Sequence, residues 1–409
     1  MIDFELSPNI QSSRQMIHMV AEQLMRPISR EYDEREHEKP TEFLETMWKV
    51  SAGTSFGNDK DAEKAPGASP GPKESNLASC VNIEELSWGD AGLYLTIPNA
   101  GLGGAAVLAA GTPEQKQRFL SPFKSGAPKW GAMAITEPHC GSDSAALQTT
   151  AVKDGDQWVL NGTKIYCTSG LMAGEKSDGF IVVWATVDKT AGRSGIKSFV
   201  VPAHTPGMKV IKVENKLGIR ASDTAMIVFE DCRIPLDNIL GTPEVKASTE
   251  GFKGAMATFD ATRPLVAASA LGIGRAALDF AREALERAGV TIRYGAAAST
   301  LTAIERDFMD IESDLQAARL LTWRAAWMMD RGKRNNLEAS MAKAKAGLAV
   351  TRVTQKAVEF LGPLGYSRKL LLEKWMRDAK INDIFEGTQQ INMLVVARRI
   401  LGYSSKELS

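Results

Sequence analysis

Strand-forming residues crowd the middle of this chain and are nearly missing from both flanks. The runs DGDQWVLNGTKIYCT, GFIVVWATV, IKSFVVPAHTPGMKVIKV and TAMIVFEDCRIP, between Asp154 and Pro235, are β-branched and aromatic and are split by turn residues. Such runs read as strands. Before them, Met16, Met19, Val20, Leu24 and Ile28 recur at helical spacing, a second helical run follows Pro40, and helix resumes near Val81 and passes Phe119. After Gly251 the chain is rich in alanine and leucine, with Glu283 and Arg287 one helical turn apart. The expected architecture is therefore α+β, mainly α: a helical domain over 1–130, a β domain over 131–245 and a second helical domain over 246–409. Strands and helices do not alternate, which excludes a parallel dinucleotide-binding sheet. GIGRAA at Gly272 agrees, since it ends in alanine and no strand precedes it. Residues 51–76, rich in glycine, proline, serine and charge, are expected to form a flexible loop, and Asn161-Gly162 carries the strongest hairpin signal.

Charge narrows the function. Lys plus Arg and Asp plus Glu number 49 each, so no global field draws in nucleic acid or an anionic membrane. Cys80, Cys140, Cys167 and Cys232 form no C-x-x-C pair, and the four histidines are scattered, so neither a disulfide framework nor a metal site is expected. Without a basic region leading into an apolar stretch, the N-terminus predicts a cytoplasmic protein. Ala91 to Pro113 carries no charge over a bilayer-spanning length, yet its glycines, Pro98, and the flanking Asp90 and Glu114 favour a buried helix over a membrane span.

Four stretches hold candidate chemistry. TEPHCGSDS, Thr136 to Ser144, reads as an ordinary turn or as a loop whose backbone donors cradle a polar heterocycle or phosphate. In NGTKIYCTSG, Tyr166 and Thr168 are two apart and would share one strand face, as an ordinary solvent-facing strand or as a surface suiting a planar ring. FDATRP places Asp260 and Arg263 one turn apart, as a surface ion pair or, with Pro264 in a first helical turn, as an anion site. In DIFEGTQQI a helix should start near Thr388 as N-cap, with Glu386 just ahead of it. There the helix dipole favours the anion while Ile384 and Phe385 favour the neutral acid, leaving Glu386 as a capping acid or a base.

Together these stretches resemble the acyl-CoA dehydrogenase family, medium- and short-chain branches, from about Met16 to Gly402. TEPHCGSD is similar to its TEPxAGSD loop and NGTKIYCTSG to its NGxKxWITNG. NKLGIRASDTAMIVFEDCRIPLDNILG resembles its K-x-G-x-R-x-S-x-T segment, and WMRDAKINDIFEGTQQI resembles RDAKIxxIYEGTxxI. The resemblance implies an N-terminal helical domain, a middle β-barrel-like domain and a C-terminal four-helix domain. It implies an enzyme that binds FAD and forms a trans-2-enoyl-CoA from an acyl-CoA thioester. Glu386 falls on the catalytic base. Met133, Ile135, Thr136, Ser142, Tyr166, Thr168, Arg293, Leu361, Gly362, Thr388 and Gln390 fall on FAD-binding positions. Ser142, Asp260, Arg263, Phe385 and Gly387 fall on substrate positions. An electron-transfer flavoprotein as acceptor and a homotetramer or homodimer follow from the same resemblance.

Some positions depart from the pattern. TIRYG stands for R-K-x-F-G, leaving Arg293 as the candidate for the arginine that reaches a neighbouring subunit's FAD pyrophosphate. Thr302 replaces a glutamine, and EFLGP, with Glu359 and Pro363, replaces Q-x-x-G-G. All three touch the distal half of FAD. Two alternatives are an oxygen-using acyl-CoA oxidase, which shares the half-reaction, and a partner subunit with an incomplete FAD site, which these departures suggest. Thr262 occupies the position where some branches carry the base and cannot itself serve. The small residues Gly101, Gly103, Gly104, Ala105 and Ala106 align with pocket-lining helices and imply room for a long or bulky acyl group.

Overall fold

The computed structural model describes residues 5–53, 73–244, 250–403 and 407. The N-terminal helices are α1 (Pro8–Val20), α2 (Ser29–Glu34), α3 (Thr41–Gly53), α4 (Ser75–Tyr94), α5 (Gly101–Ala110) and α6 (Pro113–Leu120). Strands follow: β1 (Gly131–Ala134), β2 (Thr150–Asp154), β3 (Gln157–Thr168), β4 (Phe180–Thr186), β5 (Ile196–Pro202), β6 (Met208–Val213) and β7 (Thr224–Pro235). The chain ends in α7 (Glu250–Arg287), α8 (Ala303–Asp330), α9 (Asn336–Leu361), α10 (Pro363–Tyr366), α11 (Leu372–Ala379) and α12 (Gln389–Leu401). Most of the loop expected over 51–76 lies outside the described residues, and its flanks are helical.

The strands form one curled sheet in the order β1-β4-β2-β3-β7-β6, with β5 beside β4. Every residue of β4 is buried, as its unbroken apolar run requires of a strand covered on both faces. Its alternation sorts the core. Ile181, Val183 and Ala185 pack with Ile17, Met25, Leu86 and Leu93 of the N-terminal helices. Phe180, Val182 and Trp184 pack with Ala106, Val107, Phe119 and Met133 on the other face, where Ile135 and Phe259 lean on the same cluster. The β domain is thereby clamped between helical elements. A separate core of Leu271, Leu278, Phe308, Ile311, Leu315, Val350, Val353 and Trp375 holds the C-terminal helices together.

Three expectations are corrected here. The hairpin lies not at Asn161-Gly162 but one turn earlier, where Asp154 pairs with Gln157 around Gly155 at φ +61°. Asn161-Gly162 is a bulge inside β3, facing Asp231 in a left-handed conformation, and the Asn161 and Asp231 side chains bond across it. The uncharged segment is not one helix, because α4 ends at Tyr94 and α5 begins only at Gly101. Nor do its glycines open a pocket. A Cβ on Gly103 would sit 2.6 Å from the Ala132 carbonyl oxygen, so the missing side chain lets α5 lie directly on β1. That removes the basis for a long or bulky acyl group. Among the described residues, one helix is long and apolar enough to cross a membrane, Met256–Arg287, and it is mostly buried as a core helix.

Buried charge joins the helical blocks. Lys374 on α11 lies 2.6 Å from both Asp90 of α4 and Asp378, and Asp378 also accepts from the Ile219 N–H at 2.5 Å. This hub ties N-terminal, middle and C-terminal segments. A second cluster sets Glu84 and Glu85 of α4 against Arg275 and Arg319, with Arg14 and His18 also on Glu85. Burial pushes the Glu85 carboxyl up, but Arg275, Arg14 and His18 outweigh it and hold the pKa at about 2. A depressed carboxylate stabilises the fold above its unfolded value and loses that contribution as pH falls through its folded value. The stability gap between wild type and Glu85→Gln should therefore narrow by roughly 2 kcal/mol from about pH 5 to pH 3. Urea denaturation at each pH measures it, and a constant gap would remove Glu85 from the account of acid stability.

Candidate functional site

The site gathers where α7, α9 and the loop ahead of α12 meet. After Asp383 the chain takes two successive left-handed residues, Glu386 at φ +56° and Gly387 at φ +86°. A glutamate costs about 1–2 kcal/mol in that conformation, so the turn needs support. The Gly387 carbonyl receives Lys343 Nζ at 2.6 Å and Asn392 Nδ2 at 2.8 Å. A side chain at position 387 would be strained at that φ and would meet Asn392 Nδ2 at 3.1 Å. Thr388 then caps α12, as expected, accepting from the Ile391 N–H.

α7 supplies the opposite wall. It does not begin at Pro264 but runs continuously through it, so Arg263 lies mid-helix rather than at an N-terminus. Proline has no N–H for the carbonyl four residues back, and the freed Asp260 carbonyl accepts from Asn335 Nδ2 at 3.3 Å. Asp260 and Arg263 meet as expected, at 3.0 Å, but not on the surface: Arg263 is 4% exposed and also reaches Ser340. Its Nε is buried with no partner among the described residues. That burial makes Arg263 a fixed cation beside the loop.

Thr262, next along the helix, donates from Oγ1 to Glu386 Oε2 at 2.8 Å. Desolvation pushes the Glu386 carboxyl above its ordinary range, while the Thr262 hydrogen bond, Arg263 and Lys343 pull the other way. Burial pulls the Lys343 ammonium down to about 8, with Glu386 and Asp383 opposing. The result is an ionisable carboxylate under opposed influences, the condition that poises a group for proton transfer. Neither the Glu386 nor the Gly387 N–H has an acceptor among the described residues.

A second group of candidates surrounds the ends of β1 and β3. Ile165 N–H donates to the Thr136 carbonyl at 2.9 Å, and Lys164 Nζ reaches the Ile135 carbonyl at 3.1 Å and Glu137 Oε1 at 2.7 Å. Glu137 also accepts from the Gln148 and Thr149 N–H groups, anchoring a loop whose Gly141, Ser142 and Asp143 are exposed. Glu137, His139 and Cys140 lie close enough for a metal, but Glu137 is committed to Lys164. Tyr166 does not share a pleated face with Thr168: a bulge between Lys164 and Cys167 puts it at φ +56° and 61% exposed. Phe259 links the two groups, packing on the cluster that holds Met133 while sitting one turn before Arg263.

The structure does not bring every candidate together. Arg293 gives Nε and Nη2 to Glu305 and Nη2 also to the Thr300 carbonyl, so it is engaged within its own chain. Leu361 ends α9 and Gly362, at φ +53°, follows it. Among the described residues no hydrogen bond or ion pair links these three to Thr136, Thr168 or Glu386. Gln390 is exposed and Phe385 half-buried. Thr262, Lys343 and Asn392 were not anticipated as partners of the loop. Lys343 had a readable sign, a lysine in the stripe Ala339, Ala342, Lys343, Ala346 that helical spacing marks as buried.

Comparison with known proteins adds independent findings. The family model described as acyl-CoA dehydrogenase, N-terminal domain, matches residues 7–127; that of the middle domain matches 132–232, and that of the C-terminal domain 249–401. A short-chain specific mitochondrial acyl-CoA dehydrogenase of Bos taurus is 40% identical over 97% of this chain and 91% of its own. A short-chain specific acyl-CoA dehydrogenase of Clostridium acetobutylicum is 36% identical over 98% of this chain and 100% of its own. The solved structure of butyryl-CoA dehydrogenase from Megasphaera elsdenii superposes with a TM-score of 0.84 at 33% identity, covering 98% of this chain and 100% of that one.

Proposed function

Because the chain belongs to the acyl-CoA dehydrogenase family, we propose a mechanism in which Glu386 is the base of its FAD-dependent α,β-dehydrogenation of an acyl-CoA thioester. The observation that carries this is the Glu386 carboxylate itself, aimed by a braced left-handed turn and held between desolvation and two buried cations. The residues fit FAD at its ring end. Gly141 has open space where a Cβ would meet only Thr136 Cγ2 at 3.9 Å, and the large Tyr166 ring stands exposed next to that loop. Met133, Ile135, Thr136 and Thr168 would line the ring, with Thr388 and Gln390 at the α12 end; Ser142 would lie between cofactor and substrate. When bound, FAD supplies the acceptor for the hydride that leaves the β-carbon.

The chain's own residues govern the proton. Glu386 removes it from the α-carbon, and Thr262 keeps the accepting oxygen in place. As charge develops on the thioester oxygen, the unpaired Glu386 N–H is a donor available to it. Exclusion of water from the carboxylate by the bound substrate would raise its basicity further. Asp260 and Arg263 would contact the substrate, with Arg263 a fixed cation beside the Glu386 loop.

A short acyl chain is the proposed substrate. The close packing of α5 on β1 and the short-chain relatives support it. In a panel of saturated acyl-CoAs, kcat/KM should peak at four to six carbons, about tenfold or more above that for twelve or longer. A maximum at twelve or beyond would restore the larger pocket. An electron-transfer flavoprotein is the proposed acceptor, and a cytoplasmic homotetramer or homodimer the proposed form. Peroxide production in air at the rate of turnover would instead favour the oxidase. A colourless preparation that takes up no FAD would favour the partner subunit, for which Arg293 bound to Glu305 and Glu359 bound to Lys356 speak.

A further inference from the structure

Lys343 is 2% exposed, and the mechanism above gives it no contact with substrate or cofactor. A buried ammonium is costly unless it is well paired. Among the described residues, this one reaches no carboxylate at ion-pair distance. Its hydrogen-bond partner is the Gly387 carbonyl at 2.6 Å, where the chain makes its only pair of consecutive left-handed residues among those described. The second donor to that carbonyl, Asn392, is itself fully buried. The arrangement spends a charged group on one backbone oxygen directly beside the carboxylate.

We propose that Lys343 is a positioning residue for proton abstraction: through the Gly387 carbonyl it fixes the turn that aims Glu386, and its charge keeps that carboxylate ionised. The inference rests on Glu386 being the base. Charged groups face this centre from three elements: Lys343 from α9, Arg263 with Asp260 from α7, and Asp383 with Glu386 on the loop. With its pKa near 8, Lys343 carries its charge at neutral pH. Removing that charge takes away one of two cations that favour the anionic base. The pH at which Glu386 becomes protonated therefore moves up, and activity at low pH is lost sooner.

The test reads proton abstraction without oxidation. A 3-thiaacyl-CoA has sulfur at the β-position and cannot give up a hydride, so deuterium washed from solvent into its α-carbon reports the base alone. Exchange is followed from about pH 5 to pH 9 in the FAD-loaded enzyme, beside kcat and KM for the true substrate. Lys343→Met should slow exchange about 10- to 100-fold near pH 7, change KM less than about threefold and move the acid limb up by about one pH unit. Lys343→Arg should leave the limb where it is. Unchanged exchange and limb in Lys343→Met would overturn the proposal, as would equal losses in the Met and Arg variants with no movement of the limb. Should Lys343→Met not fold, Lys343→Gln decides, since it offers an N–H to the carbonyl but no charge: a shifted limb supports the proposal and an unmoved one overturns it. Exchange at the wild-type rate in Glu386→Gln would instead refute the base assignment, a different failure.

Discussion

Glu386→Gln should lower turnover on the order of 10⁴-fold while the protein stays folded, retains FAD and binds acyl-CoA. The amide has the same shape and its oxygen still accepts the Thr262 hydroxyl, so the loop should hold. Lost is the ability to take a proton, equivalent to about 5 kcal/mol in the barrier. The bracing of Gly387 by Lys343 and Asn392 does not depend on the carboxylate charge, which is why binding should survive. Rapid mixing of enzyme and acyl-CoA separates the two: substrate binds at the usual concentration but the chemical step nearly stops. Turnover above a tenth of wild type would move the base elsewhere, and Thr262 offers no substitute.

Lys374→Met should have the largest effect on stability. Its ammonium lies between Asp90 and Asp378, each 1% exposed at the side chain, and the two carboxylates outweigh its desolvation and raise its pKa. Removing it strands two buried anions, at a cost of about 3–5 kcal/mol. Because the folded pKa is raised, the stabilisation is present below the ordinary lysine value and is lost only as pH rises through the higher one. In the wild type the lysine's contribution is therefore constant between about pH 6 and 9. In the variant the stranded Asp90 and Asp378 carboxyls take up protons as pH falls, so the loss should grow with rising pH. Asp90→Asn together with Asp378→Asn should recover much of the loss, since neutral amides need no counter-charge. A shift in the denaturation midpoint worth less than about 1 kcal/mol would show that the hub does not hold the segments together.

What the sequence revealed and what it hid follow from the range of each interaction. Helical and strand periodicity are local, so the helical, β, helical order and the Thr388 cap were legible. The Asn161-Gly162 bulge was not. Positive φ suits a hairpin and a bulge alike, and only pairing with Asp231 across the sheet distinguishes them. Pro264 likewise looked like a helix start because the repair of the broken hydrogen bond comes from Asn335, far along the chain. The small residues of α5 seemed to leave a pocket, since sequence does not show β1 filling it. At Thr262 the sequence shows only what a hydroxyl cannot do, abstract a proton. Its actual contact, a hydrogen bond to the acid that can, required two segments 124 residues apart to meet.

The most direct test of the whole account is the visible spectrum of the purified protein, recorded without oxygen before and after addition of butyryl-CoA. The flavin absorbance near 450 nm should bleach within the turnover time, with trans-2-enoyl-CoA formed in equal amount, and Glu386→Gln should stay yellow. A wild-type protein that holds FAD yet keeps its colour with every acyl-CoA offered, from four carbons to sixteen, would contradict the account.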